Sequence, residues 1–281
     1  MKTTMKAMIL AAGRGERMRP LTDTTPKPLL KAGGKALIVW HLERLAHAGF
    51  TQIIINHAWL GALVEATLAH DAPKSLGITY SPEGETAGAA LETAGGIANA
   101  LPLIITQDEP FLVINGDIWC DFDPARALTI AQQMMASNAL AHLVMVPNPS
   151  QHPDGDFFLD CGRVFDENAS IGTGRTSATD GTRNATGPTG NNGDGSTSGT
   201  HQSSLPRLTF SGIGIYRPSL FKDVPRGSKA KLAPLLRAAM RTQQVSGELH
   251  AGEWEDIGTP ERLTRLDTRL RDTRPRNTMV R

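Results

Sequence analysis

Apolar positions along the chain alternate between two rhythms. Nearly continuous runs at residues 8–12, 52–56, 77–81, 111–115 and 140–146 have the length and composition of buried strands. Between them, Leu37, Ile38, Leu42, Leu45 and Ala46 recur at helical spacing and stop at Gly49. Leu60, Leu63, Val64 and Leu68 repeat the pattern, and residues 124–136 read as a further helix. Strand and helix taking turns in this way predict an α/β fold: a doubly wound, mostly parallel sheet with helices on both faces. Such sheets bind ligands beyond the carboxyl ends of their strands.

The second half continues with a hairpin pair at 154–160 and 163–165, a strand at 208–216 and a helix at 230–241. Residues 252–263 then carry a short strand, a Gly-Thr turn with Thr259 as N-cap, and Pro260 at a helix start. Between 168 and 204 the rhythm vanishes. Roughly seven residues in ten there are Gly, Thr, Ser or Asn, with Ile171 the one large aliphatic. Such a stretch cannot bury enough apolar area to offset its ordering entropy, so it reads as a disordered insertion in a hairpin connection. The expected organisation is one domain over 6–270, that insertion within it, and a basic tail at 271–281, the Arg-rich end from Arg265 being a solvated helix end.

Composition narrows the function. A net charge of +1 over 281 residues argues against a general nucleic-acid surface. No apolar run approaches the ~20 residues of a membrane span, and the start lacks a signal-peptide pattern. Cys120 and Cys161 form neither a metal spacing nor a disulfide framework, so reduced thiols in a cytoplasmic protein are expected.

The chemistry begins where the first strand ends. Gly13-Arg14-Gly15 breaks it, and Arg14, Arg17, Arg19 and Lys27 follow within a loop stiffened by Pro20, Pro26 and Pro28. A strand ending in glycines brings bare backbone N–H groups to an anion, and the cations complete a polyphosphate cradle. Met18 stands where the dinucleotide fingerprint needs its third glycine, which weakens that reading and disfavours an oxidoreductase. The Gly-Lys-Ser/Thr of a P-loop is missing too. Phe111-Leu-Val-Ile-Asn-Gly-Asp117 places a carboxylate at a second strand tip facing the same rim. One acid there suits Mg²⁺, which takes oxygen ligands from one or two carboxylates, phosphates and water.

Leu10-Ala-Ala-Gly-Arg-Gly-Glu-Arg-Met-Arg-Pro-Leu-Thr, followed by Pro26-Lys-Pro-Leu, resembles the signature of the sugar-1-phosphate nucleotidyltransferases, with Glu16-Arg17 where the family usually has Thr-Arg. The resemblance implies the family's Rossmann-like fold. It also implies that the backbone at Ala11, Ala12 and Gly13 lies along a nucleotide, with Arg14 beside it, and that Arg17 and Lys27 hold phosphates. Leu91-Glu-Thr-Ala-Gly-Gly96, the second of two Glu-Thr-Ala-Gly copies seven residues apart, resembles the family's base-contacting segment. It is closest to the form in uridylyltransferases acting on N-acetylmuramic acid 1-phosphate, and assigns Glu92 and Thr93 to the base, its small residues letting the base lie against backbone. Gly116 joins the nucleotide set. Trp254-x-Asp-x-Gly-Thr-Pro resembles the family's second metal segment, so Asp117 and Asp256 would share Mg²⁺, with Glu253 and Glu255 as rival ligands. The family's Glu-Lys-Pro sugar element is not visible, which leaves Gly155, Ser211 and Gly212 as sugar-binding candidates.

The implied reaction joins a nucleoside triphosphate, UTP first, to a sugar 1-phosphate, N-acetylmuramic acid 1-phosphate first. Guanylylation of mannose 1-phosphate is the runner-up, and a non-catalytic binding subunit the alternative of another class. A phosphate oxygen is already the nucleophile, so no Ser-His-Asp or Cys-His set is required. His41, His47, His57 and His70 read as surface or core residues. Without hexapeptide repeats, no acetyltransferase half is expected.

Overall fold

The computed structural model describes residues 5–86, 88–104, 107–166 and 205–272. The expected insertion at 168–204 and the tail beyond Asp272 lie outside these. The chain opens with β1 (Ala7–Leu10), a loop carrying the short α1 (Leu21–Thr24), and the hairpin β2 (Lys31–Ala32) and β3 (Lys35–Ala36). Then come α2 (Leu37–His47), β4 (Gln52–His57), α3 (Gly61–Asp71), β5 (Gly77–Pro82), α4 (Glu92–Ile104) and β6 (Phe111–Asn115). β7 (Ile118–Cys120), α5 (Arg126–Met135), β8 (Ala141–Val146), β9 (Phe157–Asp160) and β10 (Arg163–Phe165) follow. The chain ends with β11 (Arg207–Tyr216), α6 (Leu232–Arg241), β12 (Val245–Leu249), β13 (Trp254–Asp256) and α7 (Pro260–Asp272).

Nine strands form one sheet in the order β5-β4-β1-β6-β11-β8-β12-β10-β9. Pairing is parallel across β5-β4-β1-β6 and between β8 and β12; the other pairs are antiparallel, and the start of β11 also pairs with β9. The α/β expectation therefore holds, but the sheet is mixed rather than mostly parallel, with four parallel and five antiparallel pairings among the described residues, because the second half returns by hairpins and β11 runs antiparallel between β6 and β8. Side chains alternate between two covered faces, as a strand's two-residue period requires. Ile9, Ile55 and Ile114 pack under α2, α3 and α5 through Leu42, Leu45, Val64 and Ile130. Met8, Ile54 and Val113 pack under α4 and α6 through Ile97, Leu236 and Met240.

Register sets the functional rim. Leu10 is level with Asn56 on β4 and Asn115 on β6, so three parallel strands end together. The turns leaving all three project from one edge.

The C-terminal helix departs from expectation. Leu266 and Leu270 of α7 are buried against Met18, Leu30, Leu37 and Trp119. The Arg-rich stretch from Arg265 to Asp272 is thus an amphipathic helix with an apolar stripe, rather than a solvated end, and it braces the opening loop. At its start Thr259 accepts from the Arg262 N–H at 3.4 Å, the expected N-cap.

Candidate active site

Beyond β1 the backbone of Ala11–Gly13 runs along a cleft of about 570 Å³, which Arg17, Lys27, Glu92, Thr93 and Asp117 also line. Gly13 has open space where a Cβ would stand, so its backbone is bare to the cleft, as an anion cradle needs. Ala11 is different. Its N–H is already spent on the Asn56 side-chain oxygen at 2.8 Å, so it anchors the turn rather than a ligand. Gly15 adopts a left-handed φ of +69°, tightly packed on Thr22 and Lys27, which folds the loop back over Lys27.

Arg14, expected beside the nucleotide, is engaged within the loop instead. Its guanidinium donates to the Thr22 carbonyl and to Asp23, and stacks 4.4 Å over Trp59. It does not line the cleft; it holds the loop's shape. Arg17 does line it, close to Gly258.

The second strand tip delivers its acid as expected. Gly116 donates its N–H to the Leu10 carbonyl at 2.8 Å, an approach so close that a Cβ would also lie 2.8 Å from that oxygen. Gly116 is therefore a packing glycine that turns the chain outward, not a wall of the cleft. Asp117 follows, and its carboxylate meets the Lys27 ammonium at 2.7 Å. Lys27 is 7 % exposed, so this ion pair fixes a cation in a desolvated place.

Asp256 reaches the same spot from 139 residues later. β13 pairs antiparallel with β7, setting Asp256 opposite Ile118, and the Ile257 N–H donates to the Asp117 carbonyl. Arg262 holds the Asp256 carboxylate at 2.9 Å. Glu255 points the other way, as alternation along a strand demands, and is sealed by Arg265 and Arg269. It is 6 % exposed and closed off as a rival ligand. The Asp117 and Asp256 carboxylates both line a second cleft of about 250 Å³. Two hard oxygen donors beside a phosphate cradle fit a magnesium ion.

The wall opposite the turn is the start of α4. Its second Glu-Thr-Ala-Gly copy does open the helix, and Glu92 and Thr93 line the cleft. Gly95 and Gly96, however, are not small for the sake of a base. A Cβ at Gly95 would strike the Ser228 carbonyl and stand 3.0 Å from the Ala230 nitrogen. This strap, whose Ala230 carbonyl caps the Ala94 and Gly95 N–H groups, packs directly on the helix. A Cβ at Gly96 would strike the Glu83 carboxylate.

The second cleft shares Asn115 and Asp117 with the first and adds Gln151, His152, Asp156, Thr209, Ser211 and Trp254. Of the three sugar-binding candidates, Ser211 lines this cleft. Gly155 and Gly212 do not line it. Gly155, at φ +61°, packs on the Asn148 side chain, and Gly212, at φ +84°, on that of Asn115. Gly212 sits in a break of the β11–β8 register between Phe210 and Gly214, a bulge that re-aims the strand beside the cleft. His152 and Asp156 pair at 3.1 Å, and the other Asp156 oxygen accepts the Phe210 N–H.

Asn56, Asn115, Glu83 and Lys229 line the first cleft without having been singled out in the sequence. The two asparagines had a readable signal, a polar residue closing an apolar strand run. Of the histidines, His41 is a core residue: burial pushes its pKa down to about 4, and Nε2 faces the Ile118 carbonyl at 2.8 Å. His57 is buried as well, and His47 and His70 are exposed. Burial raises the Cys120 thiol to about 11, which leaves it inert.

One rim of the parallel strands thus gathers a bare glycine turn, a buried lysine, two acids and two clefts that share Asn115 and Asp117. The chain belongs to the nucleotidyl transferase family, whose model matches residues 6–154. It is 50% identical over 259 residues to an N-acetylmuramate alpha-1-phosphate uridylyltransferase of Neisseria meningitidis, covering 92% of this chain and 95% of that protein. It is 34% identical over 161 residues to a mannose-1-phosphate guanylyltransferase catalytic subunit beta of Danio rerio, covering 57% of this chain and 43% of that one. Among solved structures, a UDP-glucose pyrophosphorylase complexed with UDP-glucose shares the fold, with a TM-score of 0.67 at 16% identity, over 97% of this chain and 100% of that chain.

Proposed function

We propose that the protein transfers UMP from UTP to N-acetylmuramic acid 1-phosphate, forming a UDP-sugar and pyrophosphate. On this reading it works in the cytoplasm and returns a cell-wall sugar to nucleotide-activated form. The observation that carries it is the junction of the clefts: Asp117 and Asn115 belong to both, so two ligands lying in them would meet at one carboxylate. The likeness to the Neisseria enzyme over nearly its whole length supports the choice of base and sugar.

The chemistry asks for little covalent help. An acceptor phosphate oxygen attacks the α-phosphorus, the bond to the β-phosphate oxygen breaks, and pyrophosphate leaves with its electron pair. The barrier is repulsion between anions and charge on the leaving group, so alignment and neutralisation are what the protein supplies. Lys27 and Arg17 neutralise the triphosphate. Backbone at Ala12 and Gly13 tracks the phosphates, and Glu92 and Thr93 face the base. Ser211 and its neighbours seat the acceptor sugar. Asp117 and Asp256 would hold Mg²⁺, which supplies Lewis-acid and templating chemistry when bound.

Pyrophosphate release with UTP, GTP, CTP and dTTP, each against N-acetylmuramic acid, N-acetylglucosamine and mannose 1-phosphates, tests the reading. UTP with N-acetylmuramic acid 1-phosphate should give the highest kcat/KM, and EDTA should abolish it. A preference for GTP and mannose 1-phosphate would overturn the substrate assignment. No release with any pair would overturn the catalytic one.

A further inference from the structure

A side-chain bridge crosses the rim within the first cleft, which both of its residues line. Asn56, 3 % exposed, accepts the Ala11 N–H at Oδ1 (2.8 Å) and donates from Nδ2 to Glu83 Oε1 (2.6 Å). The other Glu83 oxygen accepts the Leu91 N–H at 2.7 Å. The polarity of this chain of bonds leaves no choice. A backbone N–H can only donate, so the Asn56 oxygen must face Ala11 and its NH₂ must face Glu83. Glu83 receives a donor on each oxygen, which a carboxylate satisfies and a carboxamide cannot.

The bridge joins the two walls of the cleft. Ala11 begins the phosphate turn, and Leu91 immediately precedes Glu92 and Thr93. Leu91 is gripped on both sides, because its carbonyl also accepts the Ala230 N–H at 3.0 Å. The next residue, Glu92, takes a left-handed φ of +63°. A non-glycine residue keeps such a conformation only where its surroundings over-determine it, and the double grip on Leu91 does so. Gly96, one turn into α4, leaves the space that Glu83 and Asn56 occupy.

We infer that Glu83 is a positioning residue for nucleotide binding: through Asn56 it sets the Leu91–Thr93 wall at a fixed separation from the Ala11–Gly13 turn. This rests on the reading that the first cleft takes the nucleoside triphosphate. Glu83 acts through the Asn56 side chain and the Leu91 N–H, and it lines the first cleft and not the second, so its effect should fall on the nucleotide and spare the acceptor.

Swapping the polarity of the bridge tests it. Glu83→Gln strands one donor, and Asn56→Asp sets two carboxylates against each other. The double variant Asn56→Asp/Glu83→Gln restores every hydrogen bond in mirrored sense. Its carboxylate, now on β4, accepts from both Ala11 and the new carboxamide, whose own oxygen accepts from Leu91. Each single variant should raise the UTP KM about tenfold or more and move the acceptor KM less than about twofold. The double should return the UTP KM to within about threefold of the parent. An unchanged UTP KM in Glu83→Gln, or a double no better than the worse single, overturns the inference. Amide exchange keeps the test alive should the variants fold poorly. In the parent the Leu91 and Ala11 amides should both be protected without nucleotide, and exchange of Leu91 at an exposed-loop rate overturns the bridge. If the parent turned over no triphosphate at all, the proposed activity would fail, while the exchange result would still decide the bridge.

Discussion

Replacing Asp117 by Asn separates the site's chemistry from its architecture. The carboxylate is 39 % exposed and pairs with Lys27 at 2.7 Å. Asn is isosteric, and its oxygen can still accept from the Lys27 ammonium, so the loss to the fold is a partly screened charge–charge contribution of about 1 kcal/mol or less. For a domain this large that is a fall of roughly 2–4 °C in Tm. The loss to the reaction is larger. On the proposed reading, removing the charge would weaken the hold on Mg²⁺ and, only through that cation, the neutralisation of the leaving pyrophosphate, where one preorganised electrostatic partner is typically worth about 10²–10³-fold in kcat. Continuous pyrophosphate release with saturating UTP, N-acetylmuramic acid 1-phosphate and Mg²⁺, read beside a thermal melt, measures both. Turnover within about threefold of the parent at an unchanged Tm would refute the role of Asp117. A collapse of Tm together with activity would show that the pair is architectural instead.

Three further outcomes come from the same geometry. Arg14→Ala should lower Tm by roughly 2–6 °C, because it unties Thr22, Asp23 and Trp59, and leave the UTP KM within about threefold; Arg17→Ala should do the reverse, raising the UTP KM about tenfold at near-native Tm. Gly95→Ala should destabilise by about 1–3 kcal/mol in urea titration, because its methyl meets the backbone of the strap at Ser228 and Ala230. Burial holds His41 and His142 neutral, with pKa values near 4 against 6.5 when unfolded. Their contribution is complete above pH 6.5 and lost as pH falls towards 4, since only the unfolded chain takes up the protons; stabilities from urea titration at pH 7 and 5 should differ by about 2 kcal/mol per histidine, and His142→Gln should flatten the slope by one proton.

How much of this was legible depends on whether a residue's neighbours in sequence are its neighbours in space. The rim was readable because β1 and β6 are continuous apolar runs, each ending in a turn that bears its chemistry, Gly13 on one and Asp117 on the other. Arg14 was not, because a cation in a turn looks the same in sequence whether it faces a ligand or a neighbouring tryptophan. Gly95, Gly96, Gly155 and Gly212 carried real signals, but for close packing and left-handed backbone rather than for substrate. β12 leaves little trace in the sequence because Val-Ser-Gly-Glu-Leu has two fully buried positions, Val245 and Gly247, too few to register as a run. The second cleft needs Gln151 and His152 from one loop, Thr209 from β11 and Trp254 from β13. No local pattern assembles residues so far apart.

The charges of the joined clefts are arranged in pairs, Lys27 with Asp117 and Arg262 with Asp256. This has a consequence for how ligands enter. A polyphosphate that recruits Lys27 leaves Asp117 without its cation, and a divalent ion that recruits Asp117 leaves Lys27 without its anion. Either ligand alone therefore strips a charge of its partner, and Lys27, being buried, has the most to lose. On the proposed reading, the two arriving together would leave no charge stranded, with phosphate oxygens beside Lys27 and the cation beside Asp117. The pairing that holds the site together without ligand would then favour a magnesium–triphosphate complex over either component.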